Sequence, residues 1–157
     1  FGTGHHQTTY LMCEAILQLD LRNKKILDMG AGTGVLAILC EKHGSTDITA
    51  IDIEEWSVEN CIENTITNNC NHIVSSCGDV DLIAGKKFDV IFANINKNIL
   101  KSHLQQYFMS LNENGLLYLS GFFVTDANDL QQLAESLGLK YISINTKDEW
   151  AMLILQK

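Results

Sequence analysis

The sequence predicts an α/β domain, a doubly wound and mostly parallel seven-stranded sheet that ends in an antiparallel hairpin. Three observations predict it. Short apolar, β-branched runs alternate with stretches of helical periodicity, the pattern of parallel strands joined by crossover helices. One junction, Ile26-Leu-Asp-Met-Gly-Ala-Gly-Thr-Gly-Val-Leu-Ala-Ile38, is a buried strand running through three glycines into a helix. The last two runs, 139–145 and 150–155, are separated only by Thr146-Lys-Asp-Glu149, too short for a crossover helix, so they pair as a hairpin.

The elements follow in order. Residues 8–19 carry apolar side chains at Leu11, Met12, Ala15, Ile16 and Leu19, a helical stripe with Thr8 or Thr9 expected as its N-cap. Strand 25–29 leads through the glycines into a helix over 34–42, and strand 48–52 is followed by a helix over 54–68. That second helix gathers Val58, Cys61, Ile62, Thr65 and Ile66 on one side. A weaker strand over 72–76 and a strongly buried one over 88–93 come next, then a helix from about 98 to 111. The turn Asn112-Glu-Asn-Gly115 introduces a fifth strand over 115–120. The last long helix covers 126–136 and ends at Gly138, a C-cap glycine. No repeat, low-complexity stretch or internal linker interrupts the chain, so residues 1–157 read as one domain.

Composition narrows the function. A chain of 157 residues suffices for one core, and no apolar run approaches the roughly 20 residues that a membrane helix requires. The formal charge of −8, with no basic run, argues against direct nucleic-acid binding and is compatible with a basic protein partner. Five cysteines without a C-x-x-C pair suggest reduced thiols and a cytoplasmic protein. Cys70, His72 and Cys77, with His5 and His6, lack the paired spacing of a zinc site, so no metal is expected. The chain opens at Phe1 without a methionine or a charged leader and is read as a fragment.

The glycine turn carries the chemistry. A turn without side chains, at a helix N-terminus, lets backbone N–H groups meet a ligand directly. Asp52 closes the run Ile48-Thr-Ala-Ile51 about twenty residues later, where an acid that binds a ribose is expected. A dinucleotide seats its pyrophosphate on G-x-G-x-x-G, whereas here Gly30-x-Gly32-x-Gly34 places Val35 where the third glycine would stand. S-adenosyl-L-methionine has no phosphate, and its amino-acid tail suits Asp28 and the turn. It is the expected cofactor, with a dinucleotide or a plain connecting turn as alternatives.

Ligands of doubly wound sheets lie beyond the carboxyl ends of the strands, where Gly30 to Gly34, Asp52, Gly78-Asp79 and Asn94 fall in succession. Asp52 can accept from two vicinal hydroxyls, and Asp79 from an adenine amino group unless Cys-Gly-Asp is only a turn. Asn94, in Phe-Ala-Asn-Ile-Asn, is the candidate catalytic residue, placed to hold an incoming amine whose neutral form desolvation favours. No Pro-Pro-aromatic element follows it, which disfavours planar amides and base amino groups as substrates. Phe1-Gly-Thr-Gly-His-His-Gln-Thr-Thr9 is either a loop that folds over the ligand or a plain turn before the first helix. His5 and His6 are read as neutral loop residues.

That opening segment, the turn Asp-Met-Gly-Ala-Gly-Thr-Gly-Val-Leu-Ala and Ala93-Asn-Ile95, in this order, resemble the ribosomal-protein methyltransferases that modify large-subunit protein eleven. The resemblance spans the whole chain, and the opening segment is its most specific part. It implies a class I methyltransferase fold, Rossmann-like, and S-adenosylmethionine-dependent methylation of lysine and N-terminal amines on that ribosomal protein. It also implies cofactor contacts at Thr8, Gly30, Asp52 and Asn94, with Phe1 in a loop packed on the cofactor. Family members carry an N-terminal substrate-recognition domain, so these residues are expected to be the catalytic domain, meeting its substrate only in the full-length protein. Ile95-Asn-Lys-Asn98 departs from relatives in which Gly or Pro follows the Asn-Ile pair, which bears on the amine pocket. Two readings stay open: a methyltransferase of a small molecule or RNA, and a non-catalytic nucleoside-cofactor-binding module.

Overall fold

The computed structural model describes residues 5–157. Seven strands, β1 (Lys25–Met29), β2 (Asp47–Asp52), β3 (Ile73–Cys77), β4 (Phe88–Asn94), β5 (Leu111–Phe123), β6 (Lys140–Lys147) and β7 (Trp150–Gln156), form one sheet in the order β3-β2-β1-β4-β5-β7-β6. The first five are parallel, and β7 runs antiparallel to both β5 and β6. Five helices cover it: α1 (Gln7–Leu17), α2 (Val35–Lys42), α3 (Glu55–Thr67), α4 (Lys97–Ser110) and α5 (Ala127–Ser136). The strand order reverses between β1 and β4, so the cleft of this fold opens at their carboxyl ends.

Alternation along the strands separates two cores. Leu27, Met29, Ile91, Ala93, Leu117, Leu119, Leu153 and Leu155 face α4 and α5, packing on Leu100, Leu104, Tyr107, Leu130 and Ala134. Ile26, Ile48, Ala50, Val90, Phe92, Tyr118 and Met152 face the other way, against Leu11, Met12 and Ile16 of α1 and Leu36, Ala37 and Cys40 of α2. Both faces of the central strands are therefore apolar, as a sheet covered on two sides demands.

Two expectations are corrected. The N-cap of α1 is His6 rather than Thr8 or Thr9: its Nδ1 accepts from the Thr8 N–H at 3.2 Å, which only a neutral ring nitrogen can do. The His6 ring also stands edge-on to Trp150 at 4.6 Å, tying the start of α1 to the start of β7. The fifth strand begins at Leu111 rather than Gly115, because buried Leu111 pairs with buried Phe88 before the chain bulges. Asn114 (φ +63°) carries that bulge, and the ladder resumes at Leu116 opposite Val90. A second irregularity falls at Gly121 (φ +97°), where a Cβ would run into the backbone of Ile95. This close approach presses the chain after β4 onto β5 and fixes the exit of Asn94.

Candidate cofactor and active site

The turn after β1 is built by glycines in the left-handed region: Gly30 (φ +76°), Gly32 (φ +55°) and Gly34 (φ +81°). Its hydrogen bonds point inward. The Gly30 and Ala31 N–H groups donate to Ile51 O at 2.8 and 3.0 Å, and Gly34 N–H donates to Ala31 O at 2.8 Å. Gly32 N–H donates to Asp52 Oδ2 at 2.8 Å, and Glu54 N–H to Asp52 Oδ1 at 3.0 Å. The expected role of these N–H groups as direct donors to a ligand is thus revised for residues 30–32 and 34. Those of residues 30–32 lock the turn to β2, that of Gly34 closes the turn on Ala31, and the glycines contribute close approach instead. Each oxygen of Asp52 keeps a lone pair toward the cleft.

Asp28 lies beneath the turn, 1% exposed, with Oδ2 accepting from Ala37 N–H at 3.1 Å near the start of α2. Its Oδ1 has no hydrogen-bond partner among the described residues. Burial pushes its pKa up to about 7, with the Ala37 N–H opposing and the Asp52 charge adding to the rise. Asn94, at the end of β4, likewise holds its Oδ1 buried and without a partner among the described residues. A buried acceptor left unsatisfied costs about 1–3 kcal/mol, so two of them at adjacent strand ends mark a functional site.

The opposite wall comes from α4. Asn96 caps that helix, its Oδ1 accepting from Ile99 N–H at 3.1 Å, and the helix then presents Ile99, Ser102 and His103 to the cleft. His103 Nε2 lies 3.1 Å from Asp79 Oδ1, which also accepts from Val80 N–H at 2.7 Å. Burial lowers the His103 pKa, opposed by the Asp79 and Asp81 charges, so the ring is neutral at pH 7.

Between these walls lies a cavity of about 460 Å³, a volume suited to a nucleoside-sized ligand. Gly30, Gly32, Asp52, Asp79 and Asn94 all line it. Asp28 and Thr8 do not: Asp28 sits under the turn, and Thr8 is buried with its hydroxyl 2.9 Å from His6 Nδ1. Thr9 lines the cavity in its place, and Phe1 lies outside the described residues. Ile53, Ile99 and His103 were not anticipated. The spacing of Asn96, Ile99 and His103, one face of a helix that starts at a strand end, is the signal that points to two of them. Among the described residues no group of three His, Cys, Asp or Glu side chains could hold a metal ion, and no helix is long and apolar enough to cross a membrane.

The family model described as "Ribosomal protein L11 methyltransferase" matches residues 1–157, the whole chain. The chain belongs to the ribosomal protein L11 methyltransferase family. Its curated relatives include the ribosomal protein L11 methyltransferases of Porphyromonas gingivalis, 46% identical over 98% of this chain and 53% of that protein, and of Phocaeicola vulgatus, 42% identical over 96% and 54%. The chain thus spans about half the length of these members of the family. Among solved structures, the ribosomal protein L11 methylase of Lactobacillus delbrueckii subsp. bulgaricus superposes with a TM-score of 0.91 at 28% identity, covering 97% of this chain and 79% of that one. A methyltransferase from Pyrococcus furiosus, at 22% identity and a TM-score of 0.79 over 94% of this chain and 80% of its own, shares the fold. That fold is the class I methyltransferase fold, as the resemblance implies, with the expected antiparallel hairpin placing β7 between β5 and β6.

Proposed function

We propose that the cleft binds S-adenosyl-L-methionine and that the chain is the catalytic domain of a longer protein that methylates amines of ribosomal protein L11. The observation that carries this reading is the convergence of Gly30, Gly32, Asp52, Asp79 and Asn94 on one cavity, with Asn94 Oδ1 buried and unpartnered among the described residues. When bound, the sulfonium supplies an activated methyl group open to in-line displacement by nitrogen. Asp52, held by two backbone N–H groups, would accept from the ribose hydroxyls, and Asp79 from the adenine amino group. Gly30 lets Ile95 pack directly on the turn, since a Cβ there would run into the Ile95 side chain, and both residues line the cavity where the amino-acid tail would lie. Asp28, outside the cavity lining, would act on that tail only through the turn it supports from below.

A lysine amine near pKa 10.4 is almost wholly protonated at pH 7, so the site must favour its neutral form. Asn94 Oδ1 would accept one amine hydrogen and leave the nitrogen lone pair aimed along the strand exit. Desolvation beside Ile95 and Ile99 works against a second cation in the cleft. The formal charge of −8 favours approach of a basic protein, and we infer from a ribosomal-protein substrate that the enzyme acts in the cytoplasm. The recognition of L11 itself would fall to the rest of the full-length protein, with no nucleic acid held by this domain.

Titration calorimetry tests the reading. S-adenosylhomocysteine should bind and NAD should not, and Asp52→Ala should weaken the former about tenfold or more. With the full-length protein and purified L11, Asn94→Ala should lower methyl transfer by about a hundredfold while cofactor affinity holds. Binding of NAD without binding of the thioether would reject the cofactor, and an unchanged transfer rate would remove Asn94 from catalysis.

A further inference from the structure

The polar group that the mechanism above does not use is the pair His103 and Tyr107, one turn apart on α4 and directed at Asp79. Tyr107 is fully buried, and its hydroxyl lies 3.1 Å from His103 Nδ1. Burial pushes the phenol pKa well up, so the group stays an O–H. Because the Asp79 carboxylate facing Nε2 can only accept, the ring hydrogen sits on Nε2 and Nδ1 accepts from Tyr107. A neutral imidazole that accepts at Nδ1 carries its hydrogen on Nε2, the atom 3.1 Å from Asp79 Oδ1. The two rings stand edge-on, 5.7 Å apart at 87°, and His103 is only 7% exposed, so the arrangement has little freedom.

Asp79 Oδ1 therefore faces two donors, Val80 N–H at 2.7 Å and His103 Nε2. Its Oδ2 takes no hydrogen bond from the described residues, and the Asp79 side chain is 56% exposed at the cavity wall. The neighbours of His103 on the helix, Leu100 and Leu104, are fully buried apolar residues, and an apolar side chain would fill position 103 as well. A polar ring in such a place is costly unless its hydrogen bonds are used.

We propose that His103 is a positioning residue that pins Asp79 Oδ1, presents Oδ2 to the cleft as a pure acceptor, and so selects a purine with an exocyclic amino group over one with a carbonyl at that position. The inference rests on the reading that Asp79 faces the adenine. It adds a specificity determinant on α4, a helix separate from the glycine turn and joined to the strand-end acids through Asp79.

The test is titration of this protein with S-adenosylhomocysteine and with S-inosylhomocysteine, its deaminated counterpart. The parent protein should prefer the amino compound by about tenfold or more. His103→Leu should reduce that ratio to about threefold or less, and His103→Gln, which offers an amide N–H in place of Nε2, should restore most of it. Asp79→Asn, nearly isosteric, should invert the preference, because a pinned Oδ1 turns the amide NH₂ toward the cleft. Thermal unfolding of each variant separates lost folding from lost discrimination, and the Asp79→Asn result stands even if His103→Leu does not fold. An unchanged ratio in His103→Leu, no rescue by His103→Gln, or an amino preference retained in Asp79→Asn overturns the inference while the cofactor reading stands. Failure of the parent protein to bind either compound overturns both.

Discussion

The two walls of the cleft are made by different means. The wall from β1, β2 and the turn between β1 and α2 is a backbone construction: Gly30, Ala31 and Gly32 donate to Ile51 O and Asp52, and Gly78 N–H donates to Asp52 O at 2.9 Å. The wall from Asn94 and α4 is a side-chain construction, in which Asn94, Ile99, Ser102 and His103 project from one strand end and one helix face. Backbone geometry admits few substitutions, because left-handed φ values and hydrogen-bond ladders leave little choice of residue. A helix face admits many. The first wall is suited to the invariant part of a cofactor, and the second to what distinguishes one ligand or substrate from another.

The largest effect should come where the walls meet. Gly30→Ala places a methyl group against Ile95 and forces an L-residue into φ +76°. The backbone term alone costs roughly 1–2 kcal/mol, and the collision adds to it. Urea unfolding should show at least that loss, and titration with S-adenosylhomocysteine should show no binding. Wild-type stability in Gly30→Ala would mean that the turn has an alternative conformation, and the distinction between the two walls would fail.

Next in size is Asp28, which belongs to the backbone wall but supports it from within. Its folded-state pKa of about 7 lies above the unfolded value of about 3.9, so the folded protein binds the extra proton between those values. The Asp28 contribution to stability should therefore be greatest below about pH 4, fall as the pH rises toward 7, and level off above it, a loss on the order of a few kcal/mol against the opposite slope of the depressed carboxyls. Asp28→Asn, which keeps an acceptor for Ala37 N–H, should remove that slope. Unfolding free energies measured from pH 4 to 8 in both proteins check it; the same slope in the variant would assign it to another group.

The contrast also explains what could be read in the sequence. Strand 25–29, the three glycines and Asp52 stand where the pattern puts them, since an apolar run, a left-handed turn and a strand-end acid each have a residue signature. The α4 wall has only the helical spacing of Asn96, Ile99 and His103, which puts them on one face without saying what they meet. His103 contacts Asp79 across 24 residues of sequence, and only the packing of α4 onto the sheet brings them together. The same holds for local features that rest on distant partners. His6 caps α1 in a setting completed by Trp150, and β5 begins at Leu111 because Phe88 is there to pair with it. The 3-10 turn Val80–Ile83 depends on Asp79 as its cap, an aspartate equally at home in a plain loop. Asp28 was legible as an acid beside the turn, but its burial and single N–H partner follow from α2 folding back over it.

The smallest effect should come at the far end of the sheet. Glu41, at the end of α2, accepts from Asn71 N–H at 2.8 Å, His72 N–H at 3.0 Å and His72 Nδ1 at 3.0 Å, clamping the start of the edge strand β3. Burial alone would raise its pKa, but the two backbone N–H groups and the ring together hold it below the usual carboxylate range. A depressed carboxyl contributes stability that is present above its unfolded value of about 4.3 and is lost as the pH falls through the folded one. Glu41→Gln keeps one acceptor but turns an NH₂ group toward the strand N–H groups, and should cost about 1–2 kcal/mol at pH 7, read from urea unfolding. Affinity for S-adenosylhomocysteine should not change, because Asn71 and His72 lie at the amino end of β3 whereas Gly78 meets the cleft at the other. A weaker titration in Glu41→Gln would show that the backbone wall is tuned from the sheet edge, and that its hydrogen-bond ladder transmits strain along β2 and β3 instead of isolating the site from it.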